Sequence, residues 1–283
     1  MIHTLPYRAA FVSDLDGTLL RDPHGISPDD YTALAGLAEK RIVRVLATGR
    51  AVHSLRHCLA ADFPIDYVLA SSGNQILHWQ TQQLTHSSSL SVASALHAQN
   101  ILVDLGLCFM AHRDFPDNRA CICHYGPIVP EDFKKRVALY AASSSEGKID
   151  THWTAVSQFV VITEHVQDVE RVCQALPDFS VIRATSPLDG QSVWIEIFAA
   201  QVSKAHALDR LMTELGFAHK PLAAIGNDFN DIDMLDMVQY PYIVPGARIV
   251  GPHYLHIPPQ YSSAVAYAIR HFTKAIQDGW HDA

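Results

Sequence analysis

The chain has no long apolar run, few cysteines and a deficit of positive charge, and each absence removes a class of protein. No uninterrupted hydrophobic stretch among its 283 residues is long enough to span a bilayer, and Met1 to Arg8 lack the charged head and apolar stretch of a leader peptide. Lys and Arg number 21 against 29 Asp and Glu, a formal net charge of -8, which argues against the broad basic face that nucleic acid or an anionic membrane requires. A local basic pocket for a phosphorylated small molecule is still permitted. The cysteines (Cys58, Cys108, Cys121, Cys123, Cys173) are odd in number and scattered, so the sequence predicts no disulfide framework and fits a reducing, cytoplasmic compartment. Cys121 and Cys123 have the spacing of neither a zinc knuckle nor a redox pair and read as strand residues. No His-Glu-x-x-His occurs; His53 and His57 lie one helical turn apart, but without a third ligand nearby they read as a solvated helix face. No internal repeat or low-complexity tract is present.

What is there is an apolar fraction of 48%, ample for a core, in a chain longer than the usual single domain. The uncharged run Ala9 to Ser13 reads as a buried parallel strand. Ser27-Pro28-Asp29-Asp30 then supplies a capping serine, a proline at the first helical position and two first-turn acids, and Tyr31, Leu34, Ala35 and Ala38 recur at helical spacing. A strand over 42–47, a helix through Leu59 and a strand over 67–70 complete a βαβαβ pattern, which predicts a doubly wound, mostly parallel α/β sheet. Regular alternation fails after Leu84. Residues 85–188 read as an inserted α+β domain, with the core formed by 1–84 and 189–283, resuming at the strand Val193 to Ile197. A helix over 203–215, stopped by Gly216, and a strand over 222–225 follow.

Chemistry gathers at the carboxyl ends of these strands. Asp14 and Asp16 leave the first strand one residue apart, on one side of the chain, where an open α/β sheet binds ligands. Two anions so close predict a divalent cation or a shared proton, unless they merely cap the turn in which Gly17 supplies a positive φ. Thr48 and Gly49 end the second strand with a hydroxyl and an amide open to an anion, and Arg50 follows on the same rim. Lys204 starts an amphipathic helix, where the dipole disfavours a cation, so an anion must offset it or water solvate it. Gly226 to Asp231 (Gly-Asn-Asp-Phe-Asn-Asp) clusters oxygen-bearing side chains of the hard type that suits Mg²⁺.

Asp14-Leu15-Asp16-Gly17-Thr18, Thr48-Gly49-Arg50, a helix-start Lys204 and the acidic loop, in that order, resemble the haloacid dehalogenase superfamily, and more narrowly its Cof-type sugar phosphatases with an inserted α/β cap. The resemblance covers essentially the whole chain. It implies a Rossmann-like core, Asp14 as nucleophile, Asp16 as acid and base, Thr48 and Lys204 on the transferring phosphoryl group, and Gly49, Arg50 and Asn230 in phosphate or substrate contact. It further implies Mg²⁺ held by Asp14, the Asp16 carbonyl and the acidic loop (Asn227, Asp228, Asp231), with a cap that closes over the site and sets specificity. The expected substrate is a small phosphorylated metabolite, and the expected protein a cytoplasmic monomer or homodimer that engages neither nucleic acid nor membrane. A phosphosugar mutase and a phosphate-ligand sensor without turnover are the alternatives. Two departures stand out. Relatives commonly read Gly-Asp-x-x-Asn-Asp where this chain has Asn227 then Asp228, so either Asn227 supplies a neutral amide oxygen or Asp228 turns in as the anionic ligand with Asp231 in the outer shell, the second being favoured because a neutral ligand weakens Mg²⁺ binding. Ser71-Ser72-Gly73-Asn74 stands where relatives usually carry Asn-Gly, near the expected cap hinge.

Overall fold

The computed structural model describes residues 7–21, 25–150 and 152–279; residues 1–6, part of the stretch read for a leader, lie outside the described residues. Two compact units emerge, one running up to His86 and resuming at Lys204, the other Ser87–Ser203.

The first unit is built on strand β1 (Ala9–Asp14), whose six residues are all buried. With no charge before its last residue, β1 can take a central position with both faces covered. It lies between β2 (Ile42–Ala47) and β12 (Leu222–Gly226), and β3 (Tyr67–Ala70) lies beyond β2. All these pairings are parallel, with Val12 opposite Ala224 and Asp14 opposite Ala47. β13 (Tyr240–Ile243) and β14 (Leu255–His256) extend one edge in parallel. β4 (Gln75–His78) turns back antiparallel on β3, and β5 (Gln83–Ser87) closes the other edge. Alternate residues of β1 face opposite layers. Ala10 and Val12 pack with Leu208, Leu211 and Met212 of α6 (Lys204–Glu214) and Met234 and Leu235 of α7 (Ile232–Asp236). Phe11 meets Phe272 of α8 (Ala264–Gly279), ring centroids 6.3 Å apart. Helix α1 (Pro28–Gly36) starts as the sequence predicts: the Ser27 hydroxyl accepts the amide of Asp30 at 3.0 Å. The Asp30 carboxylate in turn accepts the Ala266 amide in the first turn of α8 at 2.7 Å, joining the two helices.

The second unit is a six-stranded mixed sheet in the order β10 (Ser180–Thr185), β11 (Val193–Phe198), β9 (Val156–Thr163), β6 (Phe109–Arg113), β7 (Cys121–His124), β8 (Ser144–Glu146). Helices α3 (Val92–Asp104) and α5 (Gln167–Ala175) place Ala98, Leu102 and Val172 on one face. On the other face Phe133 of α4 (Glu131–Leu139) packs with Cys121, Cys123, Val160 and Trp194. Cys121 and Cys123 are buried strand residues, and all five cysteines are free thiols.

This topology corrects one sequence expectation. Val193 to Ile197 does not resume the core; β11 pairs antiparallel with both β9 and β10, and Trp194 donates to Asp132 of α4 at 2.8 Å. The compact units accordingly divide at 86/87 and 203/204 instead of 84/85 and 188/189. The reason is physical: a central antiparallel strand covered on both faces is as uniformly apolar as a buried parallel one, and hydrophobic pattern does not separate them.

Candidate active site

Because β2, β1 and β12 run parallel, Thr48, Asp14 and Asn227 emerge at one edge of the sheet. β1 is also where the chain's path across the sheet reverses, the position at which open α/β sheets hold ligands.

At the centre stands a buried ion triad. The Lys204 ammonium donates to Asp14 Oδ1 and to Asp231 Oδ1, each at 2.7 Å. Lys204 is 1% exposed, Asp14 5% and Asp231 0%. This answers the anomaly of a cation at a helix start, since two carboxylates outweigh the dipole. Burial opposes the charge on Lys204, yet Asp14 and Asp231 together raise its pKa above the ordinary lysine value. The carboxyl of Asp14 is pushed up to about 7 by burial first and then by the negative charge of Asp231, with Lys204 pulling the other way. Its second oxygen, Oδ2, is shielded from solvent and has no hydrogen-bond partner.

Asp231 is fully engaged. Its Oδ2 accepts the amides of Asn227 at 2.8 Å and Asp228 at 3.0 Å, while Oδ1 holds Lys204. The loop therefore folds around a carboxylate that also fixes the lysine. Gly226 makes this possible: a Cβ there would stand 2.6 Å from the Asp231 carboxyl carbon. Asp228 caps the short turn Phe229–Asp231 in a reciprocal arrangement with Asp231. Asn227 turns toward the first loop, where its Oδ1 accepts the Thr18 hydroxyl at 3.2 Å. Gly17, at φ +78°, lets the two loops approach; a Cβ there would lie 2.4 Å from Asn227 Nδ2.

A second ion pair flanks the triad. Arg50 grips Asp16 with its fork, Nε to Oδ2 at 2.8 Å and Nη2 to Oδ1 at 2.6 Å. Thr48, fully buried, accepts the Arg50 amide on its hydroxyl at 3.1 Å. From the end of β3, the amides of Ser71 and Ser72 donate to the carbonyls of Arg50 and Thr48, both at 2.9 Å. Ser71 and Ser72 reach this geometry at φ 48° and 55°, in the left-handed region. The Ser71–Asn74 corner thus belongs to the rim of the first unit and braces the Thr48 turn. Gly49 and Asn230 lie on this rim, both half-buried.

The sequence-derived residues are therefore gathered at one sheet edge, with different partners from those expected in two cases: Arg50, read as a substrate contact, is held by Asp16, and Asp228, favoured as the anionic ligand, caps its own turn. Thr18, Gly226 and the two serines carry no role in the sequence reading. Gly226 and Thr18 sit inside the quoted motifs, so proximity in sequence was the available signal; the serines carried none beyond their departure from Asn-Gly.

The oxygen set fits a hard divalent cation. A buried carboxylate oxygen without a partner, a carboxyl raised by neighbouring negative charge, and a nearby amide oxygen are what such an ion would relieve.

Residues 11–248 match the haloacid dehalogenase-like hydrolases, and the chain belongs to this family. The HMP-PP phosphatase of Citrobacter koseri is 37% identical over 87 residues, 31% of each chain. Among solved structures, BT1666 from Bacteroides thetaiotaomicron, studied among phosphatases of this superfamily, superposes with a TM-score of 0.76 at 17% identity, covering 96% of this chain and 99% of its own. The subclass IIB sugar phosphatase BT4131 superposes with a TM-score of 0.72 at 18% identity, covering 93% and 98%. At these identities the structures establish the shared fold, a Rossmann-like α/β core with an inserted cap. Among the described residues no helix is long and apolar enough to cross a membrane.

Proposed function

We propose that this protein is a Mg²⁺-dependent phosphatase that hydrolyses a small phosphorylated metabolite through an aspartyl-phosphate on Asp14. The observation that carries this reading is the Asp14-Lys204-Asp231 triad, which fixes one oxygen of Asp14 on an ammonium and leaves the other unpartnered at the ligand-binding edge of the sheet.

In the first step Asp14 attacks phosphorus, an O–P bond forms, and the bond from phosphorus to the leaving oxygen breaks. Asp16 delivers a proton to that oxygen, so the product leaves as an alcohol. In the second step water attacks the phosphoryl-aspartate, Asp16 takes its proton, and inorganic phosphate departs with Asp14 restored. Lys204 neutralises Asp14 and stabilises charge gathering on the phosphoryl oxygens, and Thr48 and the Gly49 amide bind those oxygens. Bound by Asp14, the Asp16 carbonyl and Asn227, Mg²⁺ would neutralise charge on the phosphoryl group. Asn227 is preferred to Asp228 as the loop ligand because it faces Gly17 and Thr18, whereas Asp228 caps its own turn. A sugar phosphate is the favoured substrate class, by likeness to the subclass IIB sugar phosphatase in fold and motif order.

The test is phosphate release from a panel of sugar phosphates and an aryl phosphate, with and without Mg²⁺, comparing wild type with Asp14→Asn. Turnover that requires both Mg²⁺ and Asp14 supports the proposal. Transfer of label between positions of a sugar without net release would indicate a mutase, and Mg²⁺-dependent binding without either reaction a sensor.

A further inference from the structure

We infer that Arg50 is a positioning residue for Asp16 and does not bind the substrate phosphate; the inference rests on the phosphatase reading above. An arginine next to a phosphate-binding Thr-Gly turn would ordinarily be assigned to the phosphate. Its geometry says otherwise. The Nε and Nη2 edge, one of the two edges with which a guanidinium grips an oxyanion bidentately, is spent on both oxygens of Asp16, with Nε also 3.1 Å from Oδ1.

Asp16 needs such a partner. It lies past the end of β1 with its side chain 38% exposed. A carboxylate so placed would sample several rotamers, and transfer of a proton at one atom requires a single one. Arg50 itself is clamped through its backbone: its amide is on the Thr48 hydroxyl, and its carbonyl takes the Ser71 amide. The guanidinium is thus a rigid strut from the β2 and β3 ends to the loop after β1. It fixes the acid and base against the same Thr48 that meets the phosphoryl group.

Leaving-group dependence reads this role directly. An aryl ester such as 4-nitrophenyl phosphate departs as a stable phenolate and needs little protonation, whereas an alkyl phosphate leaves as an alkoxide and depends on the acid. The experiment measures kcat and KM on 4-nitrophenyl phosphate and glycerol 2-phosphate for wild type, Arg50→Met, Arg50→Lys, Asp16→Asn and Arg50→Met/Asp16→Asn, with folding checked by circular dichroism. Arg50→Met should lower kcat on the alkyl ester by about tenfold to a hundredfold, and on the aryl ester by no more than about threefold, with KM little changed, since general acid catalysis contributes about 10²- to 10⁴-fold. Arg50→Lys should show the same ester-selective loss, because an ammonium keeps the charge and lacks the fork. In the Asp16→Asn background, Arg50→Met should cost less than about twofold more, as expected of two groups acting as one.

Equal losses on both esters, a KM rise repaired by lysine, or full additivity in the double variant would place Arg50 on the phosphate and overturn the inference. If Arg50→Met fails to fold, Arg50→Lys alone decides between the two outcomes. Wild type inactive on both esters and on the sugar-phosphate panel would instead sink the phosphatase reading, and the inference with it.

Discussion

Asp14 is a buried acid held beside a second acid, and its stability consequence has a definite sign. Its carboxyl titrates near 7 in the folded protein against an ordinary value of 3.8. The folded state therefore binds more protons than the unfolded chain between those values, and this group makes the protein less stable as pH rises from about 4 to about 7. Lys204 works in the same sense at higher pH: its raised pKa contributes stability that is intact below the ordinary lysine value and lost as pH rises above it. In metal-free buffer, Asp14→Asn should accordingly unfold at a higher temperature than wild type at pH 8, with the gap closing toward pH 4. Thermal melts across that range check it, and a variant less stable than wild type at every pH would contradict the assignment. Stability given up at a reacting carboxylate is a common trade in enzymes. The residues of this centre were legible in sequence because each sits at a strand end or helix start within a short motif. The pairing of Asp16 with Arg50 was not, since 34 residues separate them and no periodicity links a loop carboxylate to a distant guanidinium.

At the scale of elements, the loop from β12 to α7 is organised by one carboxylate. Asp231 closes the loop on itself and holds Lys204, so a disturbance there reaches Asp14 through two bonds. Gly226→Ala inserts a Cβ where the Asp231 side chain lies and should cost about 1 to 3 kcal/mol of stability by overpacking. It should also lower turnover about a hundredfold, because catalytic groups tolerate little displacement. Urea unfolding and kcat together check this; wild-type turnover in a destabilised variant would show that Asp231 does not position the triad. The same loop holds a neutral amide where relatives commonly carry a carboxylate. Asn227→Asp adds a negative charge beside Asp14 while keeping an acceptor for the Thr18 hydroxyl. It should tighten Mg²⁺ binding about tenfold or more, since carboxylate count tunes affinity for hard cations. Calorimetric titration with Mg²⁺ reads this without turnover, and an unchanged affinity would remove Asn227 from the ligand set.

At the scale of the whole molecule, the strands that carry the site were readable to within a residue. β1, β2 and β12 are short apolar runs bounded by turns and followed by helices, and β3 is a like run that turns back into β4; a parallel sheet needs such runs. The second unit was harder, because its mixed sheet is covered on both faces and β11 mimics a core strand. One sign was present: Glu196, buried in the middle of β11, is a charge that a central parallel strand rarely carries. The boundary has a direct test. β11 lies between β9 and β10, so a fragment ending at residue 188 leaves β10 without its neighbour and exposes Ile195 and Ile197 partners on β9. A fragment of residues 87–203 keeps the six-stranded sheet and its helices together. Expressed alone, 87–203 should unfold in one cooperative transition, whereas 85–188 should give a partly folded, aggregating chain with an unpaired strand edge. Urea unfolding followed by tryptophan fluorescence, with amide exchange on both fragments, separates them. Cooperative unfolding of 85–188 would show that β11 is dispensable and return the boundary to the position that the sequence pattern predicts.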